Sequence, residues 1–220
     1  MSKLTKRNIV GTVGLLTTAA LASLLSMRPD PAGAQGGQGA GGSGLSNADL
    51  RLIIEHGVAG ANNTNSPLRS LPGTPRSTKM HIAVVSRDGS LLAHFGMPDA
   101  WVGSEDIAIA KARTAAFFSS DENALTSRII GVLSQAHNPD GTGGAGPLWG
   151  IGNSNQVGIT GSQATRNGII TFPGGVALYK NGRLVGGIGV SGDGVDQDEA
   201  VAFAGAAGFL PGAGIAKLGY

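Results

Sequence analysis

The sequence predicts an α+β fold: a five-stranded, mostly antiparallel sheet with α-helices packed on it. Three observations carry that expectation. Two apolar runs meet at Asp88-Gly89, and two more meet at Asn181-Gly182, each a two-residue hairpin signal. "GIITFPG" (168–174) supplies a fifth apolar run directly before the second hairpin. The other apolar stretches repeat at helical rather than strand spacing.

The chain of 220 residues opens on Lys3, Lys6 and Arg7, followed by the uncharged run Ile9–Leu25. Ala32-Gly33-Ala34 then places small residues where export peptidases cut. Residues 1–34 are expected to be an export signal peptide cleaved after Ala34, which makes the mature protein periplasmic or extracellular. An apolar run of about 17 residues also reaches the short limit for a bilayer span, so an uncleaved anchor is the competing reading. Removing residues 1–34 takes away Lys3, Lys6, Arg7 and Arg28 against Asp30. That leaves 12 basic and 13 acidic residues, a net charge of −1. The basic excess belongs to the leader, and no nucleic-acid surface is supported. With no cysteine, disulfides and thiolate metal sites are excluded.

Residues 35–45 read as a glycine-rich linker, and 46–220 as the folded domain. Leu50, Ile53, Ile54, Val58 and Ala61 share one helical face, and Ser46 with Asp49 has capping-box spacing. After the first hairpin, "SEDIAIAKARTAAFFSS" predicts a helix with acids in its first turn and Ile107, Ala110, Thr114 and Phe118 along one stripe. "ALTSRIIGVLSQ" predicts a shorter helix, and a long glycine-rich loop follows at 137–155. The last helix starts at Asp196, with Asp196 and Glu199 as its capping box.

Several site motifs fail on inspection. Gly187 to Gly192 fits G-x-G-x-x-G, but it lies in the second strand of an antiparallel hairpin and leads into Asp193, Asp196, Asp198 and Glu199. Those acids would repel phosphate, and too little chain follows for the second parallel strand of a dinucleotide unit. No EF-hand spacing, G-x-S-x-G elbow or Ser-His-acid set is present, so no catalytic residue is assigned.

Histidines carry more. A two-residue turn at Asp88-Gly89 pairs Val85 with Leu92, Ala83 with His94 and His81 with Gly96. His81, Ala83, Val85, Leu92 and His94 then share one face, with Met80, Ile82, Val84, Leu91 and Phe95 on the other. The two imidazoles become diagonal neighbours, roughly 7–8 Å apart between backbones. An apolar floor with two imidazoles suits haem or a small ligand; two hydrogen-bonded structural histidines are the plain alternative. His56 and His137 are weaker candidates. Lys111 and Arg113 are the cations available to bind carboxylates such as haem propionates.

"VVSRDGSLLAHFGMPDAWVGSEDIAIAKARTAAFFS" and "FPGGVALYKNGRLVGGIGVSGDGVDQDEAVAFAGAAGF" resemble the GlcG/HbpS family of haem-binding and haem-degrading, DUF336-like proteins, over about residues 47–215. The carrying motifs are the DG hairpin, "KART" at Lys111–Thr114, "GGIGVSG" and "DQDE". The resemblance implies a profilin-like sheet flanked by helices, self-association into a homo-oligomer, and haem or a related tetrapyrrole as ligand. It also implies that the glycines serve close helix–sheet packing rather than a phosphate. The family pattern has Asp at position 86 and Arg at position 96, where this chain has Ser86 and Gly96, so no axial ligand carries over. Three functions stay open: an exported haem-binding protein, a small-molecule enzyme acting on a hydroxy acid or its oxidised product, and a non-catalytic oligomeric subunit.

Overall fold

The computed structural model describes residues 44–135, 148–149, 151 and 168–220. The expected leader, nearly all of the linker, His137 and most of the glycine-rich loop lie outside the described residues. In chain order the elements are α1 (Asn47–Asn63), β1 (His81–Ser86), β2 (Leu91–Gly96), α2 (Glu105–Phe117), β3 (Asn123–Leu125), α3 (Ser127–Leu133), β4 (Gly175–Lys180), β5 (Arg183–Ser191), α4 (Val195–Gly205) and β6 (Ala216–Leu218). No helix among the described residues is long and apolar enough to cross a membrane.

The main sheet has four strands in the order β2-β1-β5-β4, every pair antiparallel. The α+β class holds, but the expected fifth strand at 168–174 is not in the sheet. The reason is local. The outer edge of β4 is already taken, because Tyr179 N–H donates to Phe209 O (2.7 Å) and Ala177 N–H donates to the Tyr220 hydroxyl (3.1 Å). A covered edge offers no ladder to a further strand. Residues 168–172 instead run beside α2 and α3, where Ile170 N–H donates to Thr114 Oγ1 and Ser127 Oγ donates to Phe172 O. The parallel pair β3–β6 forms a second, two-stranded sheet that the sequence pattern did not announce.

Each sheet face has its own chemistry. Met80, Ile82, Val84, Val176, Leu178, Ile188 and Val190 are fully or almost fully buried and form one core with Leu50, Ile53 and Ile54 of α1 and Val201 and Ala202 of α4. The opposite face presents small residues, and α2 lies on it. A Cβ at Gly189 would sit 2.0 Å from Ala108 O, at Gly187 2.4 Å from Ala112 O, and at Gly175 2.3 Å from Lys111 O. Gly187 and Gly189 of the G-x-G-x-x-G string, with Gly175, therefore let the α2 backbone rest against the sheet. This proximity also corrects the expected stripe on α2. Every residue from Ala108 to Ala116 is buried, because the sheet covers one side and residues 168–172 reach the other, while Ile107 and Phe118 are only half-buried.

Both hairpins form, with one change. Asn181 (φ +52) and Gly182 (φ +74) make the expected two-residue turn with left-handed central residues. The first hairpin has a three-residue connection instead. Gly89 N–H donates to Ser86 O, Ser86 N–H donates to Ser90 O, and Gly89 takes φ +84. An irregularity between Val84 and Val85 restores the register, so Ala83 opposes His94 and His81 opposes Gly96 as expected. Between the two irregularities the assignments exchange: Leu91 pairs with Val85, and Leu92 packs against the α1/α4 core.

The α1 capping box forms as expected, Ser46 N–H donating to Asp49 Oδ2 (2.7 Å) and Asp49 N–H to Ser46 Oγ (3.2 Å). At α4 it does not. Gly194 is the N-cap with no side-chain bond, and Asp196 and Glu199 reach Arg128 of α3 at 2.5 and 2.7 Å. A nearby arginine offered these acids a stronger partner than a backbone amide.

The Lys180 ammonium, then the Ser46 cap, hold the Asp49 carboxyl down at about 2, against an ordinary 3.8. A depressed folded-state value stabilises the fold above the ordinary value, and that contribution is lost as pH falls from 3.8 towards 2. Asp49→Asn should therefore lower the melting temperature at pH 7 and leave it nearly unchanged at pH 2. An equal deficit at both pH values would assign the effect to something other than this charge.

Candidate functional site

Residue alternation along β1 puts His81 on the α2 side of the sheet together with Ala83 and Val85, and pairing with β2 puts His94 beside it. The eight residues after β2 lead back to Glu105, the first residue of α2. The expectation of diagonal neighbours is met more closely than backbone spacing required. His81 Nδ1 and His94 Nε2 are 3.1 Å apart, with ring centroids at 5.2 Å and planes within 6°. Parallel rings at that centroid spacing bring two nitrogens to 3.1 Å only when they meet nearly edge to edge, so the contact is a shared hydrogen bond and not a face-to-face stack.

One proton serves that bond, and Glu105 decides its direction. His94 Nδ1 faces Glu105 Oε1 at 3.7 Å, and a carboxylate favours N–H there over a lone pair. His94 Nε2 is then the acceptor and His81 Nδ1–H the donor. His81 Nε2 is left with a lone pair, buried and without a hydrogen-bond partner. Burial, more than any neighbouring charge, pushes the His94 imidazole below its usual value; Glu105 opposes this and His81 adds to it. In this arrangement one nitrogen of the pair, His81 Nε2, is left free.

What stands over that nitrogen matters as much as the nitrogen itself. Exposed Gly96, opposite His81, carries no side chain, and a Cβ there would lie 3.0 Å from His81 Cε1 and Nδ1 and 3.9 Å from Nε2. Any larger residue would lie across the His81 ring. Trp101 (62% exposed) and Val102 (79%) stand in the turn just before Glu105. The free nitrogen suits a metal centre, but the apolar floor expected from Ala83, Val85 and Leu92 is not open: α2 covers the first two and Leu92 packs on the other core.

The other expected residues are placed elsewhere. Lys111 is 1% exposed and donates to Asp198 Oδ2 (2.7 Å) and Val190 O (3.0 Å), joining α2 to α4 beneath Gly174. Burial pushes the Lys111 amine down and the Asp198 carboxyl up, while their contact opposes both shifts. Arg113 is also buried and its Nε donates to Gly89 O (2.9 Å), anchoring α2 to the first hairpin turn. His56 lies on α1, half-buried. Glu105 and Asp198 were both missed as site or pairing residues. Each sits in the first turn of a helix, where an acid is already explained by the helix dipole.

The family model described as haem degrading protein HbpS-like matches residues 73–207. Among curated proteins, the corrinoid adenosyltransferase PduO of Citrobacter freundii is 31% identical over 121 residues, which is 55% of this chain and 29% of that protein. The chain thus spans less than a third of that relative. An uncharacterised 15.0 kDa protein of the dhaT-dhaS intergenic region in the same organism is 30% identical over 120 residues, 54% of this chain and 68% of that one. The crystal structure of Klebsiella pneumoniae ORFY, a DUF336 protein, is similar in fold at 22% identity and TM-score 0.54, covering 78% of this chain and 94% of its own. A structure described as a PduOC:heme complex is 26% identical with TM-score 0.52, covering 77% of this chain and 98% of its own.

Proposed function

This chain belongs to the HbpS-like family of haem-degrading proteins, and we propose that it binds haem or a related tetrapyrrole with His81 Nε2 as a ligand to the metal. The observation that carries the reading is the buried, unpartnered Nε2 beneath Gly96. Its ring is oriented from behind, because Nδ1 is joined to His94 and His94 faces Glu105. A ligating imidazole whose other nitrogen is hydrogen-bonded is fixed in tautomer and orientation. The haem-bound state of one similar protein supports the same ligand class. Haem, when bound, would supply the redox-active iron, and the chain would supply one imidazole. We propose further that the protein is exported after cleavage at Ala34 and assembles as a homo-oligomer, so light scattering that gives only the monomer mass would remove the second part. Lys111 and Arg113, the cations expected to bind carboxylates such as haem propionates, are both buried within the fold.

Gly96→Leu provides the test. It should leave far-ultraviolet circular dichroism unchanged, because position 96 is exposed at the end of an edge strand. Haemin affinity should fall by roughly tenfold or more, about 1.4 kcal/mol per decade. Unaltered affinity would show that the ligand does not approach His81 from this side.

A further inference from the structure

We propose that His81, His94 and Glu105 form a binding site for a single divalent transition-metal ion of the zinc type, taken without a porphyrin. One donor atom from each residue lies within 4.8 Å of the other two. Ligands bonded at 2.0–2.1 Å to one tetrahedral ion stand roughly 3.3 Å apart. His81 Nδ1 and His94 Nε2 are already 3.1 Å apart, joined by the single shared hydrogen. An ion that replaces this hydrogen needs the rings to part by a few tenths of an ångström and to tilt. Glu105 is about half exposed, at 49%, so its carboxylate can turn onto the ion without leaving a packed position.

The donor set selects the class of ion. Two imidazoles and one carboxylate suit zinc and its first-row neighbours, whereas calcium and magnesium require oxygen-rich sets. Three protein ligands leave the fourth tetrahedral position to water. Electrostatics are favourable on balance. The N-terminus of α2 carries only about half a positive charge, while Glu105 brings a full negative one and Asp106 follows it. Strand pairing fixes both histidines, since Ala83 opposes His94 and His81 opposes Gly96. The backbones are therefore in place, and only the two rings and the Glu105 side chain need to move.

This site uses Nδ1 of His81, while haem would use Nε2. A neutral imidazole has one lone pair, so with an ion on Nδ1 the proton sits on Nε2. The two ligands then exclude each other.

The experiment uses the haem-free full chain, titrated with Zn²⁺ against a chromophoric chelator and, separately, with Co²⁺. One equivalent of Zn²⁺ should bind, and Co²⁺ should give the visible bands of a four-coordinate N/O site. Glu105→Gln and His94→Gln should each weaken Zn²⁺ by roughly tenfold or more with the circular dichroism unchanged. Zn²⁺ bound before haemin should also reduce haemin uptake. Absence of stoichiometric Zn²⁺ binding would overturn the proposal, and so would binding indifferent to both substitutions. Haemin uptake that survives in the absence of Zn²⁺ binding removes only the ion site, and Zn²⁺ binding without haemin uptake removes only the haem reading.

Discussion

Gly189→Ala is expected to abolish the native fold or reduce its stability by about 3 kcal/mol or more, above the usual range for an added methyl group in a core. The new Cβ would lie 2.0 Å from Ala108 O, 2.4 Å from Ala112 N and 3.0 Å from Ala112 Cβ. Two of these neighbours are backbone atoms of α2, so no rotamer change relieves the contact, and the helix must lift from the sheet. That lift would loosen the packing against Ala83 and Val85 and displace Glu105 at the helix start. With total stabilities of roughly 5–15 kcal/mol for a domain, the loss is large. Gly73→Ala is the matched control. It has φ +73 with nothing within 4 Å, so it should cost only the strain of a left-handed alanine, about 1 kcal/mol. Urea unfolding of both variants decides, and equal midpoints would contradict the close contact of α2 with the sheet.

Lys111→Met has the second largest expected effect, about 3–5 kcal/mol, the usual cost of leaving one member of a buried pair alone. Asp198 is 2% exposed and would keep only the Asp193 N–H at 3.1 Å. The deficit should depend on pH with a definite sign. Burial already raises the Asp198 carboxyl above its ordinary 3.8, and removing the ammonium raises it further. A raised folded-state value contributes stability below the unfolded value and loses it as pH rises through the folded one. The variant should therefore sit closest to wild type below pH 4 and furthest from it near pH 7. Adding Asp198→Leu should recover most of the loss at pH 7, since two apolar groups leave no buried charge. A deficit independent of pH would mean that Lys111 contributes packing and little charge.

These two sites also mark where the sequence stopped being readable. The hairpins at Asp88-Gly89 and Asn181-Gly182 were legible because turn chemistry is local, and the facing of His81 and His94 followed from their register. The α1 face and its capping box were legible for the same reason. The α2 stripe was not, because Gly175, Gly187 and Gly189 admit backbone contact from a distant part of the chain and bury a helix of modest amphipathicity almost entirely. Residues 168–172 look like a strand, yet the edge they would join is closed by Phe209 and Tyr220. Asp196 and Glu199 have capping-box spacing, but only the tertiary fold brings Arg128 to them. At the site, residue types identified the histidines; the direction of their shared proton depended on Glu105, whose position no spacing rule gives.

The visible spectrum of the haemin-loaded chain beside that of His81→Ala, each with and without added imidazole, tests His81 Nε2 as the haem ligand most directly. The wild type should give a saturable Soret band that added imidazole alters little. His81→Ala should keep its circular dichroism, bind haemin about tenfold or more weakly, and recover a wild-type-like spectrum when imidazole fills the vacated space. A His81→Ala protein with wild-type spectrum and affinity, indifferent to imidazole, would contradict ligation by His81.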